Sequence, residues 1–273
     1  FIYSSNVAAT NLALNLGTDT LKKYYKMLGF GSKTGIELAN EVKGKIDFKY
    51  KSELATASFG QGITVTPIQM LEALSTITND GTLLKPYIVD KIVDRNGKVT
   101  YEGKRTELKK VYSKETTDKM KELMYGVVYD GLSTYWQPTK TTIAGKTGTA
   151  QIAGKGGYLV GETEYIRSFA GIFPYEDPEY IIYIAVKRIN STASVIAKEV
   201  TKAVDSMVSY LGIVNKEVTE DTKIVVLDNY LSKETESTIQ ELKDKNLNPI
   251  LIGDGKYIIN QYPLKKTKVV ADS

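Results

Sequence analysis

The chain has neither cysteine nor histidine in its 273 residues. Without cysteine no disulfide can form, so bridges say nothing about redox compartment. Zinc, copper and haem centres almost always draw on one of these two residues, so no transition-metal site is expected. Ser-His-Asp and Cys-His catalysis are excluded as well. Acid–base chemistry therefore falls to Lys, Asp, Glu, Tyr or a hydroxyl, and no cofactor is implied. No apolar run is long enough to span a membrane. Residues 1–6 (FIYSSN) lack the basic start, apolar core and cleavage site of a signal peptide. A large charge of one sign is missing too. Lys and Arg number 36 against 32 Asp and Glu, and the resulting +4 is too small an excess to point to nucleic acid. Phe1 does not follow an initiating methionine, so the chain reads as a fragment of something longer.

What remains is ordinary for a globular protein. Hydrophobic residues make up 42% and charged residues 25%. The length suits one large domain plus a small one. Apolar periodicity predicts helices over 6–16, with Ala9, Leu12, Ala13 and Leu16 on one side, and over 19–28. Thr66-Pro67-Ile68-Gln69 is a helix start: Thr66 caps, Pro67 fits the first turn and Gln69 reaches back to the cap. That helix should run to about 79. A hairpin is expected over 87–101 around Asn96-Gly97, and a helix over 113–129. Strands are expected over 141–152, 165–173 and 180–187, then a helix over 193–211. Residues 215–221 read as a polar linker. Beyond them the pattern gives a strand (223–227), a helix (233–245) and strands at 249–253 and 256–259. The division is therefore 1–214, linker 215–221, and a small domain at 222–273.

The strongest candidate for chemistry is Lys146-Thr147-Gly148-Thr149 on the predicted 141–152 strand. Lys146 offers a fixed positive charge. The hydroxyls of Thr147 and Thr149 can donate to a carboxylate. Gly148 lets a substrate backbone lie close to the strand. A second triplet, Lys33-Thr34-Gly35, follows a helix end, reads as a turn and is assigned no catalytic role. The other candidate is Ser4-Ser5-Asn6, just before the first helix. Ser4 can give and take a proton and Asn6 can fix a carbonyl or a lysine, although Ser and Asn before a helix are commonly only caps.

An S-x-N followed by a strand-borne K-T-G makes up two of the three motifs of penicillin-recognising serine acyltransferases. The surroundings extend the likeness. Gly29-Phe30-Gly31, Lys33 to Leu38, Ser58-Phe59-Gly60-Gln61-Gly62, Thr66 to Met70, Asn79-Asp80-Gly81 and Ala144 to Gln151 occur in the order seen in class B penicillin-binding proteins. Residues 1–212 resemble that family. Residues 231–263 resemble a PASTA domain, a combination most like the sporulation-specific members of endospore formers. PASTA units usually have a final strand, and the sequence stops short of where it is expected.

The resemblance implies an α/β (α+β) transpeptidase fold like that of serine β-lactamases, with an antiparallel sheet flanked by helices and a βαββ PASTA unit behind it. It implies a peptidoglycan D,D-transpeptidase acting on stem peptides ending in D-Ala-D-Ala and acylated by β-lactams. Ser4 would relay protons and Asn6 would hold the acyl amide. Lys146 would supply the field and bond to Ser4. Thr147 and Thr149 would hold the terminal carboxylate, with Gly148 between them, and the Thr149 N–H would be an oxyanion donor. One departure is large: no serine has a lysine three places on (Ser194 precedes Lys198 by four). The S-x-x-K nucleophile, its helix and the first sheet strands are expected upstream of Phe1, so this chain alone should not be acylated. Its partners would be that upstream half and a glycosyltransferase. Its place would be the outer face of the membrane, anchored by an upstream helix. Glu37-Leu38-Ala39-Asn40 resembles the Glu…Asn pair of class A β-lactamases but has the wrong spacing and is read as structural. The loop 154–164 is expected to border the site. A β-lactam sensor, or a wall-binding PASTA unit on an inert scaffold, are the alternatives.

Overall fold

The computed structural model describes residues 1–189, 193–212, 224–261 and 268–270. They form two compact units: Phe1–Tyr135 with Ile143–Ala193, and Trp136–Thr142 with Ser194–Ser273.

The first unit opens with α1 (Asn6–Leu16), α2 (Thr18–Met27) and α3 (Lys51–Ala57). Ala13 of α1 packs with Leu54 and Ala57 of α3 and with Phe48, and Leu21 and Tyr25 of α2 lie against the same cluster. The expected α1 stripe is only partly used. Ala13 is buried, but Leu12 is 71% exposed, because the contact with α3 runs through the small Ala13 face. The α3 segment carries no capping hydroxyl and lies outside every expected helix. Its start is fixed by Glu53, whose carboxylate accepts from the N–H groups of Lys49 and Tyr50.

Helix α4 (Pro67–Thr78) begins as its sequence predicts. The Thr66 N–H donates to Gln69 Oε1 at 2.9 Å, and the Gln69 N–H donates to Thr66 Oγ1 at 3.2 Å. Gln69 is also a hub. Its amide nitrogen donates to the carbonyls of Ser32 (2.6 Å) and Lys43 (2.9 Å), so a fully buried amide ties two loops to the start of α4. Then come β1 (Thr82–Lys85), β2 (Lys91–Val93), β3 (Val99–Glu102) and β4 (Thr106–Lys110). The β1–β4 pairing is not foreseen by the sequence, since no local turn announces a partner so distant along the chain. The β2–β3 hairpin turns at Asn96-Gly97 as expected but is shorter, because both its faces are in solvent and nothing extends the ladder.

Helix α5 (Lys114–Tyr129) leads to β5 (Ala144–Gln151), the small hairpin β6 (Ala153–Gly154)–β7 (Gly157–Tyr158), β8 (Tyr165–Phe173) and β9 (Tyr180–Lys187). β5, β8 and β9 form an antiparallel sheet in the order β5-β8-β9, as the family likeness implied. Leu74 of α4 and Met124 of α5 join Ala144, Ala170 and Ile172 in one buried cluster over the sheet. Burying each large member is worth roughly 1.5–3 kcal/mol. On the opposite face of the sheet the Phe169 ring lies between two glycines. A Cβ would stand 2.3 Å from the ring at Gly145 and 2.7 Å at Gly171, so both positions exclude a side chain.

The second unit contains α6 (Ala193–Leu211), β10 (Ile224–Val226), α7 (Thr235–Asp244) and β11 (Lys268–Val270). Asp205 of α6 accepts from the N–H groups of Thr139 and Lys140 (2.8 and 2.7 Å), which groups residues 136–142 with α6 and sets the unit boundary ahead of that helix. The linker at 215–221 lies outside the described residues. Two expected strands are corrected: neither 249–253 nor 256–259 is a strand. Ile250, Ile252 and Ile259 are 84%, 89% and 95% exposed and have no sheet to pack on. The backbone of 256–258 bonds instead to 232–235. β11, where no strand was expected, pairs antiparallel with β10. Val225, Leu227, Tyr230 and Leu247 form the core here.

Candidate active site

β5 is an edge strand of its sheet, so every second backbone N–H along it points away from β8. Side chains alternate between faces. Lys146 and Gly148 point with Ala144 toward the α4–α5 side, while Thr147 and Thr149 take the other side of the pleat. Lys146 stands in a cross-strand row with Ala170 and Tyr183. The small Ala170 leaves room for the long lysine stem.

A segment from the far end of the sequence meets this lysine. Ile2 lodges against two glycines at the end of α5: a Cβ on Gly126 would come within 2.9 Å of its Cδ1, and one on Gly131 within 2.9 Å of its Cγ2. From there the chain makes a tight turn, with the Ser4 N–H donating to Phe1 O at 2.9 Å. Ser4 has a φ of 53°, in the left-handed region. That conformation costs a non-glycine residue roughly 1–2 kcal/mol. Ser5 is the α1 N-cap, its Oγ accepting from the Ala8 N–H at 3.2 Å. Capping is thus done by Ser5, and Ser4 is left to face the sheet. Lys146 Nζ donates to Ser4 Oγ at 2.8 Å and to Thr147 O at 2.8 Å, bridging 142 positions of sequence. Burial lowers the pKa of the Lys146 ammonium from its ordinary value.

The other sequence-nominated residues are placed as follows. Asn6 is the first residue of α1, and its side chain is exposed. Thr149 is exposed and Thr147 half-buried, next to the open strand edge. Gly148 is required by space: a Cβ there would lie 2.6 Å from Ser168 Oγ on β8. Ser168 bonds in turn to the Tyr183 hydroxyl. Sequence reasoning missed Ile2, Gly126, Gly131, Ser168 and Tyr183. For Ser168 a signal existed, a small hydroxyl beside Arg167 in a run otherwise rich in aromatic and aliphatic residues.

The first K-T-G is built differently. The Thr34 N–H and hydroxyl both donate to Glu41 Oε1 at 2.7 Å, and the Gly35 N–H donates to Glu41 Oε2 at 3.1 Å. Those bonds, led by the Thr34 hydroxyl, hold the Glu41 carboxyl below the usual range. Glu37 accepts from the Tyr101 hydroxyl (2.7 Å) and the Ile88 N–H (3.1 Å), clasping the turn to the β2–β3 hairpin, which accords with a structural role. Of residues 154–164, the first five belong to the β6–β7 hairpin, and Glu164 at the far end forms a 3.0 Å ion pair with Arg188.

The fold is that of the penicillin-binding protein transpeptidases. The family description "Penicillin binding protein transpeptidase domain" matches residues 1–205, and the chain belongs to that family, in its class B branch. Stage V sporulation protein D of Bacillus subtilis is 35% identical over 97% of this chain and 43% of its own length. The peptidoglycan D,D-transpeptidase FtsI homolog of Mesostigma viride is 32% identical over 66% of the chain and 33% of its own length. Among solved structures, penicillin-binding protein 2X of Streptococcus thermophilus superposes with TM-score 0.71 at 27% identity, over 98% of this chain and 43% of that one. Penicillin-binding protein 3 of Mycobacterium tuberculosis in complex with aztreonam gives 0.67 at 26%, over 76% and 50%. The chain thus spans less than half the length of the curated relatives it matches. Among the described residues no helix is long and apolar enough to cross a membrane.

Proposed function

We propose that this chain is the motif-bearing C-terminal part of a serine D,D-transpeptidase that cross-links peptidoglycan stem peptides and is acylated by β-lactams. The single observation that carries the reading is the 2.8 Å contact between Lys146 Nζ and Ser4 Oγ. In the whole protein, the hydroxyl of an upstream S-x-x-K serine attacks the penultimate D-Ala carbonyl. An ester forms, the amide C–N bond breaks, and the departing D-Ala amine takes a proton. Ser4 passes that proton, a role supported by the Lys146 bond to it, and Lys146 keeps the cleft positive. The hydroxyls of Thr147 and Thr149 receive the terminal carboxylate, and Asn6 the acyl amide. The outward-facing N–H of Thr149 serves as an oxyanion donor, a contact worth about 2.7–4 kcal/mol in a protease. An amine from a second stem then attacks the ester, forming the cross-link and releasing the serine.

The upstream half is the first partner. Val7, Leu12, Leu14 and Leu16 are exposed along α1, and the outer edge of β9 has no strand neighbour among the described residues. Both are places where an upstream segment would pack. The C-terminal unit is read as PASTA-like. A glycosyltransferase partner and an anchor holding the enzyme on the outer membrane face complete the proposal.

The test is to label the full-length protein and residues 1–273 with a fluorescent penicillin. A covalent band is expected only for the former, and a band on residues 1–273 would refute the assignment of the nucleophile. Cross-linking of lipid-linked stem peptide by the full-length protein separates a transpeptidase from a sensor that is only acylated.

A further inference from the structure

Where lysines crowd elsewhere in the molecule, acids accompany them. Lys114 and Lys121 share Asp118, and Lys233 and Lys245 share Glu241. The lysines of α2 and β4 share no such close pair, although Glu53 lies within electrostatic reach of Lys22 and Glu72 of Lys109. Lys22, Lys23 and Lys26 on α2 and Lys109 on β4 line an open groove of about 410 Å³, together with Asp19 and Met27. Among the described residues none of these four lysines makes an ion pair. Asp19 is the one acid among the lining residues, so the lining itself is rich in positive charge.

Two of the lysines are held in place. Lys109 Nζ donates at 3.4 Å to the carbonyl of Lys26, in the last turn of α2, a carbonyl that also accepts from the Gly29 N–H at 3.2 Å. The Lys22 ammonium lies 5.1 Å from the centre of the Phe48 ring. On one helix, Lys22 and Lys26 are one turn apart and repel each other. That repulsion is relieved when an anion enters.

The chemistry selects among anions. Lysine ammoniums are compact point charges with rotatable donors, suited to phosphate and insensitive to its orientation, whereas a planar carboxylate is gripped best by the fixed fork of arginine. No arginine lines the groove. The groove is broad and open, with room for more than one phosphate group of a flexible chain.

We propose that the α2–β4 groove binds a flexible phosphate-bearing polyanion, through Lys22, Lys23, Lys26 and Lys109. This site does not depend on the transpeptidase reading. Its lysines are none of those assigned to the cleft.

The experiment is a fluorescence-anisotropy titration of the full-length protein with a short labelled polyphosphate chain, repeated over a range of salt. Lys22→Glu/Lys26→Glu should weaken binding by about tenfold or more and flatten the dependence of log affinity on log salt by about 1–2. Lys91→Glu/Lys98→Glu makes the same change in net charge on the exposed β2–β3 hairpin and should change affinity less than about twofold. If the glutamate pair fails to fold, Lys22→Gln/Lys26→Gln serves instead, with the same expected direction. Equal losses in the two double variants would reduce the effect to diffuse charge and overturn the site. So would tight binding to phosphatidylglycerol vesicles with none to polyphosphate.

Discussion

Lys33-Thr34-Gly35 and Lys146-Thr147-Gly148 are the same triplet put to opposite uses. In the first, the threonine and glycine turn inward and spend their N–H and hydroxyl groups on Glu41. Its glycine is needed for conformation, with φ +77° and only ordinary contacts around a would-be Cβ. In the second, the triplet lies along an edge strand and its lysine reaches a serine from the other end of the sequence. That glycine is needed for space, because Ser168 stands where its Cβ would go. Three residues do not make a site; the backbone they are laid on decides which of their groups remain available.

The contrast can be broken at its strongest point by Lys146→Ala. We expect acylation of the full-length protein by fluorescent penicillin to fall by about a hundredfold to a thousandfold, as for loss of one charge-stabilising donor. Lys33→Ala should leave it within about twofold. Equal losses would end the distinction. Next in size, Gly148→Ala should slow acylation by roughly tenfold or more through misplacement of the strand, and adding Ser168→Ala should recover much of the rate. Gly35→Ala should instead cost about 1 kcal/mol of stability, read from denaturant midpoints, with acylation unchanged.

Glu41→Ala removes the anchor of the first triplet and should cost about 1–2 kcal/mol. The pH dependence has a definite sign. The folded-state pKa of Glu41 is depressed, so its contribution is present above the ordinary carboxylate pKa and is lost as pH falls through the lowered value. The smallest effect concerns Glu72 of α4, whose carboxylate oxygen would lie 2.3 Å from a Cβ on Gly29, just ahead of the first triplet. Burial pushes its pKa up to about 7. Stability should therefore decline as pH rises from 4.5 toward 7. Glu72→Gln should raise Tm by a few degrees above that range and hardly at all below it.

What was legible in the sequence was what local chemistry fixes. The Thr66–Gln69 capping box, the apolar strands at 165–173 and 180–187 and the turn at Asn96-Gly97 all announce themselves within a few residues. The candidate motifs were legible too, although Ser5, one residue on from Ser4, is the true helix cap. Illegible were the features that depend on distant partners. β1 finds β4 across an intervening hairpin, and α3 starts on a glutamate rather than a hydroxyl. Two apolar runs in the C-terminal unit, at 249–253 and 256–259, have strand composition but no sheet to join. Composition proposes a strand, and only a neighbour makes one.

The socket at the end of α5 has a further consequence. Ile2 rests where Gly126 and Gly131 have no side chains, and Ser4 follows it by a single tight turn. The hydroxyl's address is therefore written at positions with no acid, base or nucleophile of their own. A methyl group added at Gly131, where the Ile2 backbone carbonyl also stands 3.0 Å from the added carbon, would act like a shim under a hinge, lifting the turn. On the proposed role of Ser4, such a variant would keep its fold and its motifs and still be acylated more slowly in the full-length protein, its cause lying just past a helix that no motif search would single out.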